Sequence, residues 1–367
     1  EVERVLAALA ARAPTAVQPE LVAGLGAGLG RHGDRLPSPA SLQPPARALL
    51  ERLIDRTRRE VVDAAADVAA RCAAARLLGC MPLAIAREQL VAGLDPRQPE
   101  QLQTTAIQAL ATYPDDDVTA VLLDRLRSFP PGPQKQAFDV LLAREDRARR
   151  LLEAARAGTV SLVALDASQR AQLAQHPQES LRRLAGDVFG TAAGGDRAAV
   201  VRRYEPALDL AGDAARGQEV FRRNCAVCHK IGAMGDAVGP DLTSAAARDP
   251  KAMLTHILDP SQYVPPNYLQ YVVEDVNGRL HTGLLTAQTA TSVTVTRDEG
   301  HSETILRSDI ESLTSTAKSM MPEGFEEKIS PAEMADLLAF LRSTRAAGDP
   351  GPGALDIGTL PGLVEPE

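Results

Sequence analysis

From Val2 to about Glu205 the apolar residues recur at helical spacing. Leu49, Leu50, Leu53 and Ile54 stand at i, i+1, i+4 and i+5, one apolar face of a helix. Breaks fall at Pro37-Ser38-Pro39, Gly79, Asp95-Pro96, Pro114-Asp115, Pro130-Pro131-Gly132-Pro133 and Gly158. Between the later breaks the pattern predicts helices over 98–112, 116–128, 134–143 and 145–157. Short amphipathic helices in pairs with tight turns read as an α-solenoid, whose stacked pairs share one core. An irregular helical domain is the plainer alternative. Pro206 interrupts the pattern and sets a boundary near 204–211. The stretch 212–265 is helical and loop-rich, and the period then changes. Tyr268–Asp275 and Leu280–Leu285 are strand-like runs around Asn277-Gly278, a strong hairpin signal. Val293 and Val295 alternate, Asp298-Glu299-Gly300 predicts a turn, and Thr304-Ile305-Leu306 continues the strands. Four or five short strands predict a small barrel or curled sheet. Helix returns at Ser330-Pro331-Ala332-Glu333, which fits a capping box with Pro at the first helical position. Met334, Leu337, Leu338 and Leu341 follow at i, i+3, i+4 and i+7.

Composition narrows the function. Lys and Arg number 40 against 48 Asp and Glu, a net charge of −8, which argues against a binder of nucleic-acid phosphates. Hydrophobic content of 44% and charge of 24% are those of a globular protein. No apolar run is long enough to span a membrane. With no Trp, 5 Tyr and 6 Phe, small-residue helix packing is favoured over an aromatic-lined pocket. Four cysteines are too few for a disulfide scaffold. No phosphate loop, Ser-His-Asp set or paired carboxylates stand in a context that predicts hydrolysis or phosphoryl transfer.

Chemistry concentrates in Cys225-Ala226-Val227-Cys228-His229. Two thiols at this spacing reach the two vinyl groups of one porphyrin, and the next imidazole reaches the iron, so the pentapeptide predicts one covalent haem c. A zinc site would want a second pair of ligands, but Cys72 and Cys80 lie in the helical region without a nearby His. A thioredoxin-like pair would want a βαβ context, and the flank here is helical. Gly217 and Phe221 lie at i and i+4 before Cys225, where Gly217 lets another helix approach and Phe340 is the expected neighbour. In Gly239-Pro240-Asp241-Leu242 the Pro240 carbonyl is placed to accept the Nδ1–H of His229, fixing the tautomer. A thioether from Ser319-Met320-Met321-Pro322 is the expected sixth ligand, which raises the reduction potential relative to two imidazoles.

Gly217-x3-Phe221-x3-Cys225-Ala-x-Cys228-His229 followed by Gly239-Pro240-Asp241-Leu242-Thr243 resembles a class I cytochrome c. Ile257-Leu258-Asp259-Pro260-Ser261, Pro266-Asn267-Tyr268, Met321-Pro322-Glu323-Gly324-Phe325 and Ala335–Leu341 are similar to the haem-binding domain typical of planctomycetes and verrucomicrobia. Ser168, Leu173, His176-Pro177 and Ala207–Asp213 resemble its lead-in, so the likeness covers about 165–343. The earlier helices resemble HEAT repeats. The implied fold is mainly α with a small β module: a HEAT-like solenoid (1–205), a cytochrome proximal half (206–265), a small β-barrel-like insert (266–316), a distal half with the axial Met (317–345) and a flexible tail (346–367). The family pattern favours Met321 over Met320 as ligand. In that family the cytochrome often ends large exported proteins that carry a sugar-dehydrogenase-like propeller, and this chain has none.

Other residues receive plainer readings. Met253 and Met334 are core residues, His256 packs or is exposed, and His281 and His301 are exposed in the β insert. His32 and His176 are structural. Arg248 is a candidate partner for a haem propionate through a bidentate guanidinium, and Tyr268 a weaker one. Cys72 and Cys80 would lie ~12 Å apart on a straight helix, so free thiols are expected. The function expected is one-electron transfer by a His/Met-ligated haem, with the solenoid as docking domain and a redox protein or fused dehydrogenase as partner; on its own the chain reads as an electron carrier rather than an enzyme. The alternatives are the electron-accepting part of a dehydrogenase, or a haem sensor or scaffold. Covalent haem is attached outside the bacterial cytoplasmic membrane, so an exported, periplasmic location is expected. The start at Glu1 without a signal peptide then places the leader upstream or removes it.

Overall fold

The amphipathic segments become fifteen α-helices in the computed structural model, which describes residues 1–114, 116–193, 197–245, 248–297 and 300–344. In chain order these are α1 (Val2–Arg12), α2 (Gln18–Gly30), α3 (Pro44–Val62), α4 (Val68–Leu78), α5 (Leu83–Ala92), α6 (Glu100–Ala111), α7 (Asp116–Arg125), α8 (Pro131–Leu142), α9 (Glu145–Arg156), α10 (Ala167–Ala174), α11 (Glu179–Ala193), α12 (Ala198–Tyr204), α13 (Ala214–Asn224), α14 (Pro250–Leu258) and α15 (Pro331–Ser343). Asp115, the first two residues of the turn expected at 298–300, and the tail expected over 346–367 lie outside the described residues.

These residues fall into two compact units. The first comprises Glu1–Ala198, Pro260–Arg297 and His301–Pro322, and the second the described residues of Ala199–Asp259 with Glu323–Thr344 and Gly300. In the first unit α4 packs on α6 and α6 on α8, so helices two apart in sequence form a layer. Leu49, Leu50, Leu53 and Ile54 are all buried, in a cluster with Leu6, Val22, Leu77 and Met81. Pro130–Pro133 does not separate helices as a loop would. Pro131 is instead the first residue of α8, where a missing N–H costs nothing and the fixed φ suits a helix.

Five strands complete this unit: β1 (Leu269–Asp275), β2 (Leu280–Gln288), β3 (Ser292–Thr296), β4 (Ser302–Leu306) and β5 (Ile310–Ser319). The sheet is antiparallel with order β4-β3-β2-β1-β5. The start of β2 pairs with β1 and its end with β3, which curls the sheet about β2. No pairing joins β4 to β5 among the described residues, so the sheet is open where a barrel would close. The Asn277-Gly278 hairpin forms as expected: Gly278 takes φ 76°, and Asp275 Oδ1 accepts from the Asn277 and Arg279 amides. Leu269, Tyr271 and Val273 alternate into the same core as the buried residues of α6 and α8. Tyr271 donates its hydroxyl to the Phe129 carbonyl at 3.0 Å. The β residues thus rest on the helices of their own unit.

Candidate functional site

The second unit is built on the crossing of α13 and α15. A Cβ on Gly217 would collide with the carbonyl oxygen of Asp336 and come within 2.8 Å of the Phe340 Cβ, so only glycine lets the two helices approach this closely. Phe221 and Phe340 then meet with ring centroids 5.6 Å apart, the neighbour expected from sequence. Arg216 grips Asp336 with two parallel bonds, Nε–Oδ2 at 2.8 Å and Nη2–Oδ1 at 2.9 Å. The Asp213 amide adds a third bond to Asp336 Oδ1 at 2.6 Å. Tyr204 donates its hydroxyl to the Glu326 and Ile329 carbonyls, fixing the approach to α15. Of these side chains, the sequence pointed to Gly217, Phe221 and Phe340. Arg216, Asp336 and Tyr204 carry no signal beyond their charge or hydroxyl.

The Arg216 guanidinium holds the Asp336 carboxyl below its ordinary range, helped by the Asp213 amide. A carboxylate depressed on folding stabilises above its unfolded pKa of about 4 and loses that contribution as pH falls through the lower folded value. Acid unfolding of the native protein is therefore expected to steepen below about pH 4. Asp336→Asn removes this part of the acid limb while lowering stability at pH 7. Denaturant melts across pH check it, and parallel curves for the two proteins would refute it.

The cysteine motif follows directly from the end of α13. Cys225 caps the helix, its amide bonded to the Phe221 carbonyl at 2.8 Å, and the Cys228 and His229 amides both return to the Cys225 carbonyl. This one turn gathers two thiols and an imidazole. The chain then doubles back through Gly232 and Gly235, at φ 58° and 80°. The Asp236 amide bonds to Ala226 O, the Gly239 amide to Cys228 O and the Leu242 amide to Lys230 O. That return lays Pro240 against the motif, and the His229 Nδ1 lies 2.9 Å from the Pro240 carbonyl. A carbonyl only accepts, so Nδ1 carries the proton and Nε2 keeps its lone pair. Gly239 makes room for the ring: a Cβ there would stand 2.7 Å from His229 Cε1.

Electrostatics agree with this assignment. Burial lowers the His229 pKa against the opposing pull of the Pro240 carbonyl, and the positive charge of Arg248 lowers it further, so the imidazole is neutral. Burial, with the neighbouring Cys228, pushes the Cys225 thiol up to about 12. Arg248 is exposed and within electrostatic reach of His229. Among the described residues, no group of three or more His, Cys, Asp or Glu side chains is placed to hold a metal ion.

Residues 214–265 match the cytochrome c family model. A "Cytochrome c-553-like" protein of Synechocystis sp. is 41% identical over 58 residues, covering 16% of this chain and 54% of that relative. The chain thus spans about half the length of the relative it matches. The match takes in α13, the cysteine turn, the Pro240 return and α14, the segment whose geometry was just described.

Other candidate residues are placed as follows. Met320 and Met321 come directly after the last residue of β5 and belong to the first unit. Met253 and Met334 are buried, and Tyr268 packs half-buried against the core of the first unit. His32, His256 and His301 are exposed. His176 is half-buried and accepts the Gln178 amide at Nδ1. Cys72 and Cys80 are free thiols, the first buried and the second half-buried. His281 corrects the sequence reading. It is 5% exposed, with Nδ1 2.6 Å from Glu303 Oε2 and Nε2 3.2 Å from Asp275 Oδ2. The curl of β2 turns this position inward between carboxylates from the hairpin and from β4, which alternation along a single strand does not reveal. No helix among the described residues is long and apolar enough to cross a membrane.

Proposed function

We propose that this protein is a single-haem c-type cytochrome carrying one electron at a time, its haem held by thioether bonds to Cys225 and Cys228 and ligated by His229 and Met321. The observation that carries the reading is the turn after α13, which gathers Cys225, Cys228 and His229, with the Pro240 carbonyl fixing the proton on Nδ1 and leaving Nε2 for iron. The haem would supply reversible one-electron chemistry. The chain's own residues bind, orient and exclude. Pro240 holds the imidazole plane, Gly239 gives it space, and burial around His229 keeps the ligand neutral. Arg248, exposed and within electrostatic reach of His229, would offset a porphyrin carboxylate. Two protein ligands leave no open position on the iron, so no substrate binds there.

In this reading 206–265 and 317–345 are the two halves of the cytochrome and 266–316 the segment between them. The alternating packing of α4, α6 and α8 supports a HEAT-like solenoid that serves to dock a redox partner or a fused dehydrogenase. Covalent haem attachment implies an exported, periplasmic protein. An intact mass equal to the chain plus one haem, joined to a redox titration followed optically, tests cofactor and stoichiometry together. A mass without haem, or ready CO binding by the native reduced protein, would falsify the closed-site reading.

A further inference from the structure

Ala317 lies in the left-handed region at φ 56°, the sole residue other than glycine with positive φ among those described. That conformation is disfavoured about tenfold or more for an L-residue. It marks a bulge in β5: Leu269 faces Ser319 while Tyr271 faces Ser315, so a three-residue span of β1 matches a five-residue span of β5. Hydroxyl groups brace the extra residues one after another. Ser315 Oγ accepts the Ala317 amide at 3.1 Å. Thr316 Oγ1 donates to the Gln270 carbonyl at 3.1 Å and accepts the Lys318 amide at 3.3 Å. Ser261 Oγ accepts the Ser319 amide at 3.3 Å, and Ser319 Oγ accepts the Met321 amide at 3.1 Å. The chain of bonds therefore ends on the backbone of a candidate ligand. Glycine would adopt the Ala317 conformation without strain, so the bracing and not the residue's own preference maintains it.

We infer that this braced bulge positions Met321: it ends the pairing of β5 at Ser319 and fixes the following peptide so that one of two adjacent thioethers, and not the other, is offered as a ligand. Met320 and Met321 stand at a bend directly after β5, and of the two it is the Met321 amide that Ser319 Oγ holds. Ser261, Ser315, Thr316, Ala317 and Ser319 act through Met321 and are positioning residues. The inference rests on the reading of Met321 as the sixth ligand, and the two fail in different ways.

The test uses the full haem-loaded chain, with intact mass, CO binding by the reduced protein and midpoint potential as readouts. Met321→Leu is expected to keep the haem mass, bind CO and fall in potential, while Met320→Leu matches the parent. Ser319→Ala and Ala317→Val are expected to keep the haem mass, to raise CO binding at least about tenfold, the scale of the left-handed penalty, and to shift the potential towards that of Met321→Leu. Ala317→Gly and Thr304→Val, the latter at an exposed position on β4, stay at parent values. Should Ala317→Val not fold, Ser319→Ala decides alone. A Met321→Leu protein identical to the parent overturns the ligation reading. A Met321→Leu protein that opens, beside bulge variants that behave as the parent, overturns the positioning inference.

Discussion

Gly217→Val is expected to cost the second unit about 3 kcal/mol or more, at or above the upper end of what overpacking usually costs. Two effects compete at this position. A side chain in the middle of α13 gains roughly 0.5–1 kcal/mol over glycine by restricting the unfolded chain. Against that, the new atom meets the Asp336 carbonyl oxygen, which is backbone and cannot rotate away. The clash also separates Arg216 from Asp336 and Phe221 from Phe340. Gly217→Ala isolates the competition: it gains most of the same backbone term yet still collides, so it is expected to lose 1–3 kcal/mol, about the range for one added group in a packed site. Denaturant unfolding of the haem-loaded protein, followed by helical circular dichroism, measures both. A neutral or stabilised Gly217→Ala would mean that α15 backs away freely and that the close crossing is not what holds this unit. Because α13 ends at Cys225, displacing it also moves the turn that carries both thiols.

What was legible in the sequence was what lies close together along the chain. Cys225, Cys228 and His229 are joined by one turn, so their spacing marked this turn as the candidate site. Pro240 was legible because a return loop of eleven residues brings it back, and its carbonyl stands 2.9 Å from His229 Nδ1. Helix periodicity over α6–α9 located those elements within a few residues. The contacts that were not legible pair residues far apart with many possible partners. Arg216 is one of many arginines, and its bond to Asp336 spans 120 positions. His281 looked exposed because the curl of β2, which no local pattern encodes, decides which way it faces. The β module shows the same limit: its strands were evident, but alternation along each strand could not tell an open sheet from a barrel.

Arg307→Met is expected to destabilise the first unit by about 3 kcal/mol, the upper end of the cost of a buried polar group left without its partner. Arg307 is 3% exposed and sits between β4 and β5. Its Nη1 donates to the Pro96 and Gln98 carbonyls at 3.0 and 2.8 Å, Nε to the Thr289 carbonyl at 2.9 Å, and Nη2 to Gln288 Oε1 at 3.1 Å. One planar group therefore ties the β2–β3 turn to the segment before α6. Burial pushes its guanidinium down to about 10, partly offset by the Glu100 carboxylate, so holding the charge there has a desolvation cost. Met relieves that cost and fills a similar volume, which by itself favours the variant. The loss dominates because the Pro96 and Thr289 carbonyls lose the donor that Arg307 gives them, and no apolar side chain can replace it. Arg307→Lys keeps the charge but offers a point ammonium in place of a fork, so it is expected to recover less than half of the difference. Urea unfolding gives the stabilities, and hydrogen exchange shows where they act, with amides of β3 and β4 exchanging faster in both variants. If Arg307→Met matched the parent in stability and exchange, the side chain would be filling space, and the sheet would be held to the helices by the apolar face of Leu269, Tyr271 and Val273 alone.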